Sequence, residues 1–325
     1  MNKATMTGGV WQSCVLTGWV WLAFMAWIPV AVAQDALVGE PFQYTVQPGN
    51  SLTRIGARFG IEPGVLARAN GLKYDALLRP GQVLQIDNRH IIPERLEEGI
   101  LINLPQRMLY YFQAGDRVAH YPVGLGRPDW PTPAGRFKVI DLQENKTWLV
   151  PKSIQEEMRR EDEVVLTRVP PGPENPLGKH WMGLSIPGIG IHGTIAPASI
   201  YHFQSHGCIR LHPDDIAALF PQVTKDQPGK IIYAPVLLAR LADGRIFIEV
   251  HRDIYKKGIA THRDALVLRE SEARGSGCRE CPPIKSVEHA AKAQGLVDMI
   301  DWRKVKDVIR LKEGLAREVG LRAPL

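Results

Sequence analysis

Residues 188–211 read GIGIHGTIAPASIYHFQSHGCIRL and place a cysteine directly behind a histidine and a glycine. Cys208 follows His206 and Gly207, and His192 lies sixteen residues upstream. That distance allows a strand, a loop and a return, so we predict that His192 lies opposite Cys208 on a neighbouring strand. A base on one strand and a thiol on its neighbour is the arrangement that covalent catalysis by cysteine requires. His206 is the local alternative for the base.

The role of Cys208 is open, from these residues alone, between packing and catalysis. A free cysteine is often a small buried hydrophobic residue, whereas a reactive one needs a base or a positive field nearby. The adjacent histidine and glycine favour a nucleophile, because Gly207 lets backbone approach a substrate and the N–H groups around it could form an oxyanion hole. His192, His206 and Cys208 could also ligate zinc, but no H-x-x-E-H or H-E-x-x-H accompanies them. We therefore expect no metal and no cofactor.

The first 33 residues predict export. Lys3 is followed by an apolar stretch that ends in Ala31-Val32-Ala33, a small-x-small pattern typical of signal-peptidase cleavage. We therefore predict a cleaved signal peptide at 1–33 and a periplasmic location. The alternative is an uncleaved inner-membrane anchor, since the apolar run approaches the ~20 residues that span a bilayer. Cys14 has no lipid-attachment context and would leave with the signal.

The length and composition predict several structural units and argue against a nucleic-acid binder. The 325 residues carry 40 Lys and Arg against 34 Asp and Glu, a mild excess that suits an acidic wall or membrane surface. The excess is diffuse and no basic run is interleaved with aromatics, so no nucleic-acid partner is expected. Roughly 290 residues after the signal predict two or three structural units.

Residues 42–86 predict a small strand-helix-helix-strand unit. Its strands are FQYTV and LRPGQVLQI, and its first helix begins at Asn50 or Ser51 and ends at Gly60. The unit resembles a LysM domain over its whole length, which implies binding to the N-acetylglucosamine-containing glycan of peptidoglycan. Asn50 stands where that family usually has an acidic residue. The alternative role is a spacer without glycan affinity.

Residues 98–238 predict an all-β sandwich or barrel, because short apolar runs alternate with Pro- and Gly-bearing turns. The charged stretch KSIQEEMRREDE predicts one surface helix. Residues 245–325 predict a C-terminal extension with two helices, SVEHAAKAQG and DWRKVKDVIRLKEG. Before them, Cys278 and Cys281 form a C-x-x-C. We expect a disulfide there, ahead of a redox motif or a zinc site, since export favours oxidation.

The segment 98–238 resembles the L,D-transpeptidases of the YkuD/ErfK type. The resemblance lies in IHGT at 191–194 and SHGCIRL at 205–211, with TPAGRF at 132–137 and VPPGPENPLG at 169–178. It implies a mainly β fold, with a β-sandwich-like catalytic domain, a small α+β (βααβ) LysM domain and a short helical C-terminal tail. It also implies a role for each site residue: Cys208 as nucleophile, His192 as base, the Gly193 carbonyl orienting that base, the His206-Gly207-Cys208 backbone binding the oxyanion, and Ser205 and Arg210 shaping the site or meeting a substrate carboxylate.

The resemblance implies an activity on peptidoglycan tetrapeptide stems through a cysteine acyl-enzyme. An amine would resolve the thioester, giving a 3–3 cross-link or attaching an outer-membrane lipoprotein to the wall. The alternatives are a carboxypeptidase or endopeptidase that uses water, and a non-catalytic wall-binding protein. Ile195-Ala196-Pro197 departs from the polar residues that related enzymes often carry after HGT, which bears on the acceptor.

Overall fold

The computed structural model describes residues 36–257 and 283–320. The predicted signal peptide at 1–33 and the predicted Cys278–Cys281 disulfide lie outside these residues. Within the described ranges, no helix combines the length and the apolar character needed to span a membrane.

The N-terminal unit has the predicted strand-helix-helix-strand order. That order is formed by β2 (Pro41–Thr45), α1 (Leu52–Phe59), α2 (Pro63–Ala69) and β3 (Val83–Asp87), and two short strands, β1 (Leu37–Val38) and β4 (His90–Ile91), flank the unit. Strands β2 and β3 pair antiparallel over their full lengths, and β1 pairs with β4. Buried apolar residues from both helices and from β3 form the core of this unit.

Local signals explain the ends of α1. The Ser51 hydroxyl accepts a hydrogen bond from the backbone N–H of Arg54, which satisfies one of the free donors of the first turn. Gly60 ends the helix in the left-handed region at φ 70°, where glycine has no side chain to clash. Asn50 does not cap this helix; its Oδ1 accepts hydrogen bonds from the Tyr44 hydroxyl and the Gln47 N–H and so closes the preceding turn.

The central domain is mainly β, as predicted. Its elements are β5 (Gly99–Asn103), β6 (Met108–Gln113), β7 (Asp116–Gly126), β8 (Gly135–Glu144), β9 (Trp148–Leu149), α3 (Lys152–Arg160), β10 (Arg168–Val169), β11 (His180–Leu184), β12 (Gly190–His192), β13 (Phe203–Ser205), β14 (Ile209–Leu211), α4 (Pro213–Leu219) and β15 (Pro228–Ile232). Nine of these strands form one sheet in the order β13-β7-β14-β12-β11-β8-β15-β5-β6. The predicted charged surface helix is α3.

The long strand β7 closes this sheet on itself. Its first residues, to Pro122, pair with β6, whereas Val123 and Gly124 pair with β14 and the last two residues pair with β13. Because β7 pairs with strands from both ends of the sheet, the sheet encloses an apolar core that includes Ile191 and Ile209, both fully buried. Those two residues belong to the strands that carry the candidate site, so the core fixes the backbone of the site.

The C-terminal part adds β16 (Val236–Arg240), β17 (Ile246–Val250), α5 (Pro283–Ala293), α6 (Trp302–Leu311) and β18 (Arg317–Glu318). Both predicted helices form. They pack against a three-stranded antiparallel sheet, β16-β17-β18, that was not predicted from the sequence. Strand β17 is buried on both faces, with Ile248 against the helices and Phe247 against the central domain. A strand buried on both faces shows no alternation of polar and apolar residues.

The LysM-like unit is packed against the rest of the described chain. Arg58 of α1 pairs with the buried Asp215 of α4 at 2.5 Å, and Glu62 pairs with the buried Arg107 at 2.6 Å. His90 Nε2 lies 2.9 Å from the Gly60 carbonyl oxygen. The described residues therefore form one compact unit, although the sequence reads as separate modules.

Candidate active site

His192 lies at the end of β12, and Cys208 lies directly before the neighbouring strand β14. The two strands pair in parallel. The register places His192 opposite Arg210 and Ile191 opposite Ile209. Parallel neighbours need a crossover connection, and here residues 193–208 supply it with one 3-10 turn and β13. The strand, loop and return expected from the sequence are present, in parallel orientation, but His192 lies opposite Arg210 and not opposite Cys208.

Both side chains line a cleft of about 820 Å³. One wall is the sheet around β12 and β14, and the opposite wall is the segment that contains β9 and α3. Trp130, Trp148 and Trp181 supply large aromatic surfaces to this cleft. The cleft therefore offers an apolar, partly enclosed space around one thiol and two imidazoles, those of His192 and His206.

Cys208, the one cysteine among the described residues, is free and partly buried. Its Sγ lies 3.6 Å from the Gly188 carbonyl oxygen, to which the thiol donates. Burial raises the pKa of the thiol, while a backbone hydrogen bond from Gly190 and the positive charge of Arg210 act in the opposite direction. The net upward shift keeps the resting side chain as a thiol at neutral pH, so its reaction needs a base.

His192 is held as a neutral imidazole. It is 4% exposed, and burial followed by the charge of Arg210 lowers its pKa to about 4. Its Nδ1 lies 2.6 Å from the Gly193 carbonyl oxygen. Since a carbonyl can only accept, Nδ1 carries the proton of the neutral ring and Nε2 is left as an acceptor. Trp181 stacks on the ring at a centroid distance of 5.9 Å.

A network of short bonds fixes the turn before β14. The Ser205 hydroxyl donates to the Cys208 carbonyl oxygen at 2.6 Å, and the fully buried Thr132 hydroxyl donates to the Gly207 carbonyl oxygen at 2.9 Å. Gly207 has a φ of 100°, which disfavours any residue with a side chain. Thr132 Oγ1 also accepts from the N–H of Gly126, which ties the turn to the end of β7.

Comparison with known proteins identifies the family. The profile described as the L,D-transpeptidase catalytic domain (YkuD) matches residues 97–235, and the LysM domain profile matches 44–87. The chain is 34% identical over 235 residues to the probable L,D-transpeptidase YcfS of Escherichia coli (strain K12), covering 70% of this chain and 73% of that protein. The chain belongs to the L,D-transpeptidase family.

Two further relatives extend the similarity. The probable L,D-transpeptidase YbiS of Escherichia coli (strain K12) is 32% identical over 291 residues, covering 88% of this chain and 90% of that one. Among solved structures, L,D-transpeptidase 1 of Mycobacterium tuberculosis aligns with a TM-score of 0.32 and 19% identity, over 47% of this chain and 67% of that one. The sequence similarity therefore spans most of this L,D-transpeptidase, including both profile matches.

Arg210 places one positive charge in this cleft, which Arg127 and Lys146 also line. Its side chain lines the cleft beside Cys208 and His192, and burial lowers its pKa. Within residues 36–257 and 283–320 it makes no ion pair or hydrogen bond with another side chain. A guanidinium without a carboxylate partner in a cleft is suited to bind a carboxylate from outside.

The His206 ring has a different hydrogen-bond partner from the His192 ring. Its Nε2 forms a hydrogen bond with the carboxylate of Glu157 on α3. Its ring makes a T-shaped contact with the Trp130 ring, with a centroid distance of 4.7 Å. The carboxylate occupies Nε2 of His206 and holds its ring toward α3, whereas the His192 ring is held through Nδ1 by the Gly193 carbonyl.

Sequence reasoning missed three residues of the site. Thr132 lies in the TPAGRF stretch, but nothing in that stretch indicates that its hydroxyl reaches Gly207. Trp181 stacks on His192 because β11 and β12 pair antiparallel with these two residues as partners, and Glu157 reaches His206 from α3. Among the described residues, no group of three or more His, Cys, Asp or Glu side chains is arranged to hold a metal.

Proposed function

We propose that Cys208 is the nucleophile and His192 the general base of a peptidoglycan L,D-transpeptidase. The observation that carries this proposal is a thiol directly before β14 and a neutral imidazole at the end of the neighbouring strand β12, both of which line the same cleft. The hydrogen bond from His192 Nδ1 to the Gly193 carbonyl supports Nε2 as the atom that takes the thiol proton.

The first half-reaction acylates the enzyme. As His192 takes the proton of Cys208, sulfur attacks the carbonyl carbon between the third residue of a tetrapeptide stem, of the meso-diaminopimelate type, and its terminal D-Ala. The tetrahedral intermediate collapses, His192 returns the proton to the leaving nitrogen, and D-Ala departs. A thioester between Cys208 and the tripeptide remains.

The second half-reaction transfers the acyl group to an amine. The amine attacks the thioester carbonyl, His192 takes its proton, and the thiol of Cys208 is restored. A stem side chain as acceptor gives a 3–3 cross-link, and a lysine of an outer-membrane lipoprotein gives an anchored lipoprotein. Water as acceptor would make the enzyme a carboxypeptidase or endopeptidase.

The remaining site residues stabilise charge. The backbone N–H groups of His206, Gly207 and Cys208 bind the oxyanion, and the turn is held for this purpose by the bonds from Ser205 and Thr132. Arg210 binds a carboxylate of the stem peptide. Its position beside Cys208 in the cleft supports this role.

The LysM unit binds the glycan of peptidoglycan and keeps the enzyme on the wall. The protein acts in the periplasm after removal of residues 1–33 and contributes to wall biogenesis and cell shape. The LysM profile match and the apolar, Ala-x-Ala-terminated N-terminus support this part of the proposal.

A carbapenem tests the nucleophile because it presents a strained amide to the same thiol. Intact-mass measurement after incubation with ertapenem should show one adduct per chain, and peptide mapping should place it on Cys208. Cys208→Ala should show no adduct, and His192→Ala should acylate at least about 100-fold more slowly, as loss of a general base does. An adduct on Cys278 or Cys281, or a wild-type rate for His192→Ala, would refute the assignment.

A further inference from the structure

Glu157 connects the helical wall of the cleft to the turn that carries Cys208. Its carboxylate accepts hydrogen bonds from His206 Nε2 and from the Arg127 guanidinium. Glu157 is 9% exposed, although it lies on a helix whose sequence predicts a solvated surface element. The adjacent Glu156 is exposed and pairs with Arg159 on its own helix.

Both partners of Glu157 are anchored to the turn before β14. His206 is part of that turn, and the backbone N–H of Arg127 donates to the Ser205 carbonyl oxygen at 2.9 Å. Trp130 meets the His206 ring edge-on, at an interplanar angle of 86°. The His206 ring is therefore fixed by a carboxylate and by an aromatic ring.

The negative charge of Glu157 suits its two hydrogen bonds with His206 and Arg127. The hydrogen bond from Arg127 is the largest influence that lowers the pKa of Glu157, and the bond from His206 adds to it against the opposing effect of burial. The side chain is ionised at neutral pH and offers acceptors only. Hydrogen bonds that involve an ionised partner are stronger and more directional than neutral ones.

We propose that Glu157 is a positioning residue for the acylation step. It holds the His206 ring, and through it the His206-Gly207-Cys208 backbone, in the geometry that stabilises the oxyanion. Glu157 acts through His206, so it is not a catalytic residue itself. The inference rests on the proposed function, because it concerns the oxyanion of the same reaction.

The matched variants are Glu157→Gln and Glu156→Gln, which remove one charge each from adjacent positions of α3. Glutamine keeps the shape of Glu157, but its amide NH2 would face one of the two donors. Two reactions of Cys208 are compared. Acylation by ertapenem passes through an oxyanion, whereas alkylation by iodoacetamide forms a C–S bond as iodide leaves and passes through none.

Glu157→Gln should lower the rate constant of acylation by roughly 10- to 100-fold, since small misplacements and lost oxyanion donors have effects of that order or larger. Its alkylation rate and the rates of Glu156→Gln should equal those of the wild type. His206→Asn removes the same hydrogen bond from the other side and should show the same selective loss, which keeps the test valid if Glu157→Gln misfolds.

Two results would overturn the inference. Wild-type acylation in both Glu157→Gln and His206→Asn would show that the bond does not position the turn. Equal losses in acylation and alkylation would show that Glu157 supports only the fold or the thiol. A wild-type chain that ertapenem does not acylate at Cys208 would instead refute the proposed function, so the two failures are distinguishable.

Discussion

At the scale of single residues, burial sets the protonation states of the pair. His192 and Cys208 both shift toward their neutral forms, His192 downward to about 4 and the thiol upward. The free enzyme therefore holds a thiol and a neutral base rather than a thiolate and an imidazolium. In the mechanism that we propose, substrate attack and proton transfer then occur together, with His192 Nε2 as the acceptor.

The pKa of His192 makes a prediction about pH. A base must be neutral to take a proton, so His192 is competent above its pKa and loses competence as pH falls through about 4. The acid limb of kcat/KM for a soluble tetrapeptide should have its midpoint near pH 4, well below the ~6.5 of an ordinary histidine. A midpoint between 6 and 7, with the fold intact by circular dichroism, would mean that His192 is not the base.

The sequence indicated the candidate site residues but not the residues that hold them in place. His192, Cys208, Gly207 and Arg210 stand in two short motifs, and spacing alone suggested neighbouring strands. Thr132 comes from a loop some seventy residues before its partner Gly207, and its hydroxyl contact depends on how β7 closes the sheet. Such a contact leaves no local pattern in the sequence.

At the scale of elements, local signals were sufficient wherever a helix or strand ends in a cap or a turn. Ser51 and Gly60 mark the ends of α1, and both functions are seen in the structure. Strand β17 gave no signal, because IFIEV is buried on both faces and lacks alternation. The charged helix α3 was predicted correctly, yet its sequence does not show that Glu157 faces inward to His206.

The turn between β13 and β14 should not tolerate a side chain at Gly207. Its φ of 100° is strained for any L-residue, and a Cβ there would lie 3.1 Å from Ile189 Cδ1. Gly207→Ala should therefore lower ertapenem acylation at least about tenfold through a displaced oxyanion site. Gly244→Ala is the control, since Gly244 also has a positive φ, 86°, but nothing lies within 4 Å of its added Cβ. Similar acylation rates in the two variants would contradict the role of this turn.

At the scale of the whole molecule, the LysM unit is docked rather than tethered. Leu315 of the C-terminal part packs into its core, and Arg317 pairs with Asp87 of β3 at 2.7 Å. Asp215 and Arg107, both buried, have their partners on α1 and on the residue before α2. The unit therefore contributes to stability as well as to any binding of glycan.

Deletion of residues 42–86 should separate these two contributions. The deletion removes the half-exposed partners of Asp215 and Arg107 and the apolar residues that cover Leu315, so the truncated chain should melt several degrees lower than the full chain. Below its melting temperature the truncated chain should keep its turnover of a soluble tetrapeptide and lose turnover of insoluble sacculi. The reason is that glycan binding by the LysM unit raises the effective concentration of the enzyme on the wall. An unchanged melting temperature would contradict docking, and equal losses on both substrates would place the LysM unit in the active site.

The most direct test of the account is to trap the acyl-enzyme on its natural type of substrate. The wild-type chain is mixed with a disaccharide tetrapeptide, quenched in acid and digested for peptide mapping, while free D-Ala is measured in the same sample. The cysteine acyl-enzyme mechanism predicts one tripeptide acyl group on the peptide that contains Cys208, together with released D-Ala. It predicts neither product with Cys208→Ala. Release of D-Ala by Cys208→Ala, or an acyl group on another residue, would contradict it.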